Sequence, residues 1–309
     1  MNEQTVRNLI REELKNIAAI LREELRANNA NIEEKIEYYT NHLPFATYLG
    51  EDIVLTKSYF NVMYLVNSHD SIVAPYLIKN GVYETELTKY LLRTIKPDSV
   101  FVDIGANIGY YTCLAAKRIN AGKVFAFEAN ETAYQLLQRN IMINWVDCPT
   151  KAEFIAVSDK RGEVVFKNYK YKFVNSQFFT GEEGEDINSY DVKTVPTISL
   201  DEYFADGQKI DFLKVDVEGA EYKVLQGATQ TLANNPGIQI LMEWSANQLK
   251  QQGENPADII NFFQQRGFRP SILDWRDGSA TEVDYDYVSG KEYICSVRLQ
   301  KAPSAESAG

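Results

Sequence analysis

Val100-Phe-Val-Asp103-Ile-Gly105-Ala-Asn-Ile-Gly109-Tyr-Tyr111 is the stretch that decides the fold. Its first half is a short apolar run rich in β-branched and aromatic residues, which predicts a buried strand. Glycines at positions 105 and 109 interrupt this run, and apolar residues then recur at helical spacing as far as Ile119. The stretch therefore predicts a strand, a tight turn and a helix. A ligand can approach such a turn closely, because glycine has no Cβ.

Asp103 distinguishes this turn from other glycine-rich turns. The dinucleotide fingerprint requires G-x-G-x-x-G, and the P-loop requires Lys followed by Ser or Thr after its last glycine. Gly105-Ala-Asn-Ile-Gly109 matches neither pattern. An acid here repels a pyrophosphate and attracts a cationic sulfonium or ammonium group. We therefore predict S-adenosylmethionine as the cofactor rather than NAD or ATP. The alternative is that the strand, turn and helix bind no ligand.

A second acid lies at the spacing that nucleotide-binding units require. Lys123-Val-Phe-Ala-Phe-Glu128 predicts the next strand, and Glu128 ends it about twenty residues beyond the glycine turn. In α/β units of this type an acid at that place contacts the ribose hydroxyls. Two separate signals at the expected spacing are much stronger than one.

Three runs of the sequence resemble the FkbM family of S-adenosylmethionine-dependent methyltransferases. They are the run from Asp103 to Tyr111, Ser199-Leu-Asp-Glu-Tyr203 and Leu213-Lys-Val-Asp-Val-Glu-Gly-Ala-Glu221, of which the last is the most specific. The resemblance covers residues 81–244 and implies an α/β, Rossmann-like class I methyltransferase fold. Such a fold has a seven-stranded, mostly parallel sheet with flanking helices. The resemblance further implies O-methylation of a sugar, a glycan or another small polyol-like metabolite.

The candidate cofactor residues lie at the predicted strand ends. In the family, a Gly-x-Tyr-Glu stretch like the one at Tyr83 and Glu84 lies over the cofactor, although a helix N-terminus alone also favours an acid at position 84. Ser158 and Asp159 follow the third predicted strand, where they could reach the adenine amino group or form an exposed loop. The predicted cofactor-binding residues are Tyr83, Glu84, Asp103, Gly105, Ala106, Asn107, Gly109, Tyr110, Glu128, Asn130, Ser158, Asp159 and Asp216.

Further carboxylates follow the fourth and fifth predicted strands. Methyl transfer to a hydroxyl requires removal of its proton. We predict Asp216 or Glu218 as the base or as the anchor of the hydroxyl, with Glu243 second and His69 as another candidate. Asp216 and Glu243 could also hold Mg²⁺, which would lower the pKa of the acceptor hydroxyls, but the sequence does not require a metal.

The chain outside the central region predicts smaller parts. Residues 1–41 are charged and helix-forming, with a narrow apolar seam that indicates either a coiled-coil arm for a homo-oligomer or a flap on its own domain. Residues 42–96 are predicted as a connecting region, 97–300 as the methyltransferase domain and 301–309 as a disordered tail. An aromatic run beside an acidic loop suits a sugar-stacking lid or an insertion with its own core. The seam is Ile10, Leu14, Ile17, Leu21 and Leu25, and the aromatic run is Tyr169, Tyr171, Phe173, Phe178 and Phe179.

Composition narrows the partners. The net charge of -11 argues against a nucleic-acid substrate, because phosphate binding needs clustered Lys and Arg. Three cysteines without metal-ligand spacing indicate a reducing compartment, so we predict a cytoplasmic protein. We expect no signal sequence, because the N-terminus lacks a basic stretch followed by an apolar one. We also expect no membrane span, because the sequence has no run of about 18 apolar residues. Two other functions remain open: a non-catalytic assembly protein on the same fold, and an aminopropyl-transfer or NAD-dependent enzyme.

Overall fold

The structure is a computed structural model that describes Lys15 and residues 45–169 and 190–302. The chain forms two compact units, residues 1–43 and 44–309. All described residues except Lys15 belong to the second unit. The predicted apolar seam, the aromatic run after Tyr169 and residues 303–309 lie outside the described residues.

The second unit is an α/β structure in which strands and helices alternate. The strands are β1 (Ala46–Gly50), β2 (Ile53–Lys57), β3 (Met63–Asn67), β4 (Val100–Ile104), β5 (Lys123–Glu128), β6 (Thr150–Phe154), β7 (Ala156–Val157), β8 (Gly162–Tyr169), β9 (Tyr190–Ile198), β10 (Phe212–Val215), β11 (Gln239–Ser245), β12 (Phe268–Leu273), β13 (Ala280–Glu282) and β14 (Tyr293–Lys301). The helices are α1 (Val73–Asn80), α2 (Thr85–Thr94), α3 (Tyr110–Ala116), α4 (Glu131–Ile143), α5 (Leu200–Tyr203), α6 (Glu221–Gln226), α7 (Thr229–Asn234), α8 (Ala246–Gln251), α9 (Pro256–Gln265) and α10 (Tyr285–Ser289).

A large mixed sheet organises this unit. Its strand order is β13-β12-β14-β11-β10-β4-β5-β6, and β11, β10, β4, β5 and β6 run parallel to one another. The α/β class is confirmed, but within the described residues the sheet has eight strands rather than the predicted seven. The additional strand is β13, which the turn after β12 folds back along the sheet edge. Its three residues, Ala280, Thr281 and Glu282, are exposed and include no large apolar side chain, so they give no strand signal in the sequence.

The third predicted strand, Glu153 to Val157, is divided between two sheets. β6 ends at Phe154 in the large sheet, whereas β7 pairs with β9 in a separate sheet of order β7-β9-β8. In the connecting region, β1, β2 and β3 form a separate antiparallel sheet. The chain therefore leaves the large sheet directly after β6, which opens the carboxyl edge of the sheet beside β5.

Alternation along the central strands creates two cores. Val102 and Ile104 face the core that contains α6, α7 and α9, whereas Phe101 faces the core of α1, α2 and α3. Every residue of β4 and β10 is buried, as expected for central strands of a parallel sheet covered on both faces. The two charged residues in these strands, Asp103 and Lys214, are directly paired across the sheet. None of the described helices is long and apolar enough to cross a membrane.

Candidate active site

A cleft of about 870 Å³ opens at the carboxyl ends of β4, β5 and β10. This is the edge where parallel α/β sheets bind ligands. Both apolar side chains and charged or hydroxyl-bearing side chains line the cleft. The lining residues are Val73, Tyr83, Ile104, Gly105, Ala106, Asn107, Ile108, Tyr110, Tyr111, Phe127, Glu128, Ala129, Ile155, Ala156, Val157, Lys214, Asp216, Val217 and Glu218.

Gly105 joins the turn after β4 to the turn after β10. Its φ is +73°, and a Cβ at this position would lie 1.8 Å from the backbone oxygen of Asp216. The amides of Gly105 and Ala106 both donate to the Phe127 carbonyl, at 3.0 Å each. Only glycine satisfies the conformation and the close approach together. The predicted glycine turn is therefore the point at which β4, β5 and β10 meet.

Glu128 fixes the rim of the cleft. Its carboxylate accepts hydrogen bonds from the amides of Asn107, at 2.7 Å, and Asn130, at 2.6 Å. Burial raises its pKa to about 7, against these hydrogen bonds, which lower it. The side-chain oxygen of Asn107 is buried and has no hydrogen-bond partner among the described residues. Asn130 itself caps α4 by accepting from the amides of Thr132 and Ala133.

These features fit an adenosine cofactor. The glycine turn brings backbone to the cleft, Glu128 and the unpartnered Asn107 oxygen supply polar atoms for ribose hydroxyls, and Ile155 and Val157 supply an apolar surface suited to a base. Ser158 and Asp159 follow this surface but do not line the cleft. The Ser158 hydroxyl instead donates to the Asp159 carboxylate at 3.1 Å. Their predicted contact with adenine stays a prediction.

Lys214, in β10, is a buried cation beside the carboxyl groups of the cleft. Its Nζ is 3.1 Å from the Asp216 carboxylate and 3.6 Å from the Asp103 carboxylate, and it lies 5.3 Å from the centre of the Tyr111 ring. Burial alone lowers the pKa of Lys214, but the charges of Asp216, Asp103 and Glu84 outweigh burial and raise it. Lys214 therefore stays charged and holds two carboxylates together.

Asp103 is completely buried and is not among the residues that line the cleft. The Thr112 hydroxyl donates to one of its oxygens at 2.6 Å, and the other oxygen faces Lys214. Burial raises the pKa of Asp103 despite the opposing charge of Lys214. Asp103 therefore contacts Lys214 and Thr112 instead of the cleft, and its predicted role in cofactor binding stays a prediction.

Tyr83 and Glu84 approach the cleft from the start of α2. Tyr83 lines the cleft, and its ring packs edge-on against Tyr110 with centroids 5.8 Å apart. Glu84 has a φ of +40°, an uncommon value for a residue other than glycine, and accepts a 2.5 Å hydrogen bond from the Tyr111 hydroxyl. Burial, followed by the charge of Asp216, raises the pKa of Glu84 to about 7. The structure therefore places Glu84 in the same charge network as Lys214.

Four carboxyl groups form one cluster, which we call the acidic wall: Glu84, Asp216, Glu218 and Glu243. Of these, Asp216 and Glu218 line the cleft, whereas Glu84 and Glu243 lie close enough to interact with the charge of Asp216. Val215 of β10 pairs with Met242 of β11, so Asp216 and Glu243 occupy equivalent positions one residue further along. Glu243 lies where the register of β11 shifts against β14, an irregularity that re-aims a side chain. Burial and the neighbouring charge of Asp216 raise the pKa of Glu243 to about 8 and that of Glu218 to about 10.

His69, the remaining catalytic candidate, lies away from this wall. Its ring is half-exposed, and its Nε2 is 3.2 Å from the Asp52 carboxylate in the turn between β1 and β2. It is not among the residues that line the cleft. Within residues 45–169 and 190–302, no three His, Cys, Asp or Glu side chains are grouped so that they could hold a metal ion. A role for Asp216 and Glu243 in binding Mg²⁺ stays a prediction.

Sequence reasoning missed three residues of the site. Lys214 and Tyr111 lie within the family motifs, and the sequence predicts no role for either, although a lysine inside an apolar strand is a recognisable signal of a buried ion pair. Glu221 is buried and accepts from the amides of Val217 and Gly219, at 3.2 Å each, which shapes the turn after β10. Burial raises its pKa to about 7.

The fold and the cleft define an α/β protein that binds a nucleotide-like ligand at the carboxyl edge of its sheet. Comparison with protein families identifies which class of α/β protein this is. Residues 103–270, more than half of the chain, match the methyltransferase FkbM domain. The chain belongs to this family and is an S-adenosylmethionine-dependent methyltransferase. Family membership therefore favours a methyltransferase over the non-catalytic, aminopropyl-transfer and NAD-dependent alternatives.

Two curated relatives carry related names. Hexuronic acid methyltransferase AglP of Haloferax volcanii is 31% identical over 211 residues, which cover 67% of this chain and 77% of the relative. Methyltransferase sdnD of Sordaria araneosa is 28% identical over 171 residues, which cover 46% of this chain and 64% of the relative. The chain thus matches less than two thirds of the second relative's length. Among solved structures, a Pyrococcus abyssi tRNA (uracil-54, C5)-methyltransferase in complex with S-adenosyl-L-homocysteine is similar with a TM-score of 0.41 and 14% identity, over 81% of this chain and 44% of that one.

Proposed function

We propose that this protein transfers a methyl group from S-adenosylmethionine to a hydroxyl group of a sugar, a glycan or another small polyol-like metabolite. The observation that carries the proposal is the contact between Gly105 and the backbone of Asp216. It joins the turn suited to the cofactor directly to carboxylates suited to a hydroxyl. The relative named for hexuronic acid supports a sugar as the acceptor.

We assign the cofactor to the half of the cleft formed by the turn after β4 and by Glu128. Gly105, Ala106 and Asn107 would offer backbone and amide groups, and Glu128 would accept hydrogen bonds from the ribose hydroxyls. Tyr83 would cover the bound cofactor from α2. When bound, S-adenosylmethionine would supply an electrophilic methyl group on a positively charged sulfur, and carboxylates near that sulfur would favour binding of the cation.

We assign the acceptor to Asp216 and Glu218. Asp216 would accept the hydrogen bond of the reacting hydroxyl, since Lys214 holds its carboxylate in place. The hydroxyl oxygen would form the new bond to the methyl carbon as the carbon–sulfur bond breaks, with that electron pair staying on the sulfur of S-adenosylhomocysteine. The proton of the hydroxyl would pass to a carboxylate, for which Asp216 is the first candidate. Glu243 is the second candidate for this proton, because it lies beside Asp216. Orientation of the oxygen by these groups is the main contribution expected of the protein.

The test measures transfer of a radiolabelled methyl group to saccharides. An ether methyl survives mild alkali, whereas a methyl ester is hydrolysed, so alkali treatment of the product distinguishes a hydroxyl acceptor from a carboxyl acceptor. Asp216→Asn, Glu218→Gln and Glu243→Gln should each be assayed for turnover, with binding of S-adenosylhomocysteine measured by calorimetry. At least one should lose about a hundredfold or more in turnover with little change in cofactor affinity.

The matched control is Glu202→Gln, which alters a surface carboxylate that pairs with Arg161. It should turn over normally. Normal turnover by all three amide variants would show that the catalytic assignment is wrong. The search would then move to His69 and Tyr83.

Three finer points belong to the same proposal. Loss of activity on adding a chelator, with rescue by Mg²⁺, would support a metal held by Asp216 and Glu243. Activity unaffected by the chelator would support direct proton removal.

We further propose that residues 1–41 bring copies of the chain together through their apolar seam. We also propose that the protein works in the cytoplasm, as its cysteine pattern indicates.

A further inference from the structure

The acceptor half of the cleft is rich in carboxyl groups. Asp216 and Glu218 line it, and Glu84 and Glu243 lie close enough to Asp216 for its charge to raise the pKa of both, after burial itself. Among the described residues that line the cleft, Lys214 is the only cation. A ligand that enters this half therefore meets several carboxyl groups and a single positive charge.

That positive charge is already committed. Lys214 is 4% exposed and lies within 3.6 Å of two aspartates, and the ring of Tyr111 covers it. An anionic ligand group would have to displace Asp216 to pair with it. Such a group would lose its water at the wall and gain no counter-charge, which is costly for a carboxylate.

The carboxyl groups of the wall are well suited to uncharged hydroxyls. Burial and the charges of Asp216 and Glu243 raise the pKa of Glu218 to about 10, so this group carries a proton at neutral pH. A protonated carboxyl both donates and accepts hydrogen bonds, and an ionised one accepts them. Sugar hydroxyls can pair with either form, whereas a carboxylate of the substrate is repelled by the ionised members.

We propose that the methyl acceptor is an uncharged polyol, such as a neutral sugar, and that the cleft rejects a uronic acid whose carboxylate adjoins the reacting hydroxyl. This inference rests on the proposed function. It separates the chain from the relative named hexuronic acid methyltransferase, which it resembles at 31% identity. The difference would come from the acidic wall, with Lys214 unavailable as a counter-ion.

The experiment uses the full chain with radiolabelled S-adenosylmethionine. The acceptors are an equimolar mixture of methyl glycosides of neutral hexoses, pentoses and deoxyhexoses with the corresponding uronic acids. Products are first treated with mild alkali, which hydrolyses any methyl ester of a uronic acid and releases its label as methanol, and the methanol is removed by drying. The remaining products are separated by anion exchange, so that label on an ether of a uronic acid is retained and label on a neutral sugar is not. Label in the unretained, neutral fraction is the expected result, in at least about tenfold excess over the retained fraction. Label mainly in the retained fraction overturns the inference and leaves the methyltransferase assignment intact. No label in either fraction, with S-adenosylhomocysteine still bound, overturns the saccharide acceptor of the proposed function and this inference with it.

A charge variant tests the cause. The neutral sugar that is labelled and its uronic acid counterpart, in which the primary alcohol is oxidised to a carboxylate, are compared by kcat/KM. At pH 9, above the raised pKa of about 8 of Glu243, that carboxyl group is ionised, and Glu243→Gln should lower the preference for the neutral sugar by about tenfold, whatever it does to the absolute rates. Glu202→Gln, the surface control, should leave the preference unchanged. An unchanged preference in Glu243→Gln and also in Glu84→Gln would overturn the electrostatic explanation.

Discussion

Replacing Lys214 with methionine removes the cation on which the acidic wall depends. Methionine is close to lysine in length and is apolar, so the variant keeps the buried volume and deletes the charge. Asp103 would then be a fully buried carboxylate whose remaining bond is the one from Thr112. Asp216, with a side chain 30% exposed, would lose the ammonium 3.1 Å away. We expect a large loss of stability at neutral pH.

The magnitude follows from the two distances. Unit charges at 3.1 and 3.6 Å attract by roughly 5 kcal/mol per pair at an effective dielectric constant of about 20. Desolvation of the ions offsets much of this attraction, and removing one partner of a buried pair typically costs about 3–5 kcal/mol. For a chain of this size, that loss lowers the melting temperature by on the order of 10 °C.

The pH dependence has a definite sign. The folded pKa of Lys214 is raised, so its contribution is present below its unfolded pKa and is lost only as the pH rises through the folded value. Burial already raises the pKa of Asp103, and loss of Lys214 raises it further. Protonation of Asp103 therefore relieves the variant at low pH. The difference in unfolding free energy between wild type and variant should be smaller at pH 5 than at pH 8.

Urea denaturation at both pH values measures this difference. Lys209→Met is the matched control, because Lys209 forms a similar 2.8 Å pair with Asp211 but its side chain is 72% exposed. Exposed pairs are worth about 1 kcal/mol or less. The reasoning is refuted if the two variants lose the same stability, or if the loss in Lys214→Met grows as the pH falls.

Three other predictions concern cofactor binding, pH and assembly. Glu128→Ala should weaken binding of S-adenosylhomocysteine by about 1–3 kcal/mol in calorimetry, because ribose hydroxyls and two backbone amides lose their acceptor. The control Glu131→Ala, which removes a surface ion pair with Lys193, should leave this affinity unchanged. The cofactor-free protein should lose stability as the pH rises from about 5 to 8 in thermal melts, because Glu128 and Glu221 have folded pKa values raised to about 7 and so bind more protons folded than unfolded; rising stability over this range would contradict it. Deletion of residues 1–39 should lower the oligomeric state in light scattering with cofactor binding intact, and a monomeric full-length chain would exclude the assembly role.

The cofactor half of the site was predictable because its signals are local. Gly105 and Glu128 each belong to one strand and the turn that follows it, and the parallel pairing of β4 with β5 brings their turns together. The structure adds the hydrogen bond from the Asn107 amide to Glu128, which links the two. A strand-and-turn pattern with a fixed spacing thus carries most of the information about this half.

The charge network of the other half was not predictable in the same way. The pairing of Asp103 with Lys214 depends on the register between β4 and β10, two strands that are far apart in the chain. The position of Glu243 depends on the irregularity of β11 against β14. His69 is a candidate on residue type, because histidine is a common base. In the structure its ring instead lies next to Asp52, an exposed residue of the turn between β1 and β2. Residue type alone could not distinguish these cases.

Close backbone contacts join the two halves of the cleft, in addition to the ion pairs of Lys214 with Asp103 and Asp216. Gly105 touches the Asp216 carbonyl, and a Cβ at Gly219 would lie 2.6 Å from the backbone oxygen of Gln248. Between these contacts Glu218 is held at a φ of +54°, a conformation that costs energy in a residue with a side chain. Such close backbone contacts leave the turn after β10 little freedom to shift relative to the turn after β4. Since methyl transfer depends on the distance and angle between the donor carbon and the acceptor oxygen, this rigidity is what the reaction requires.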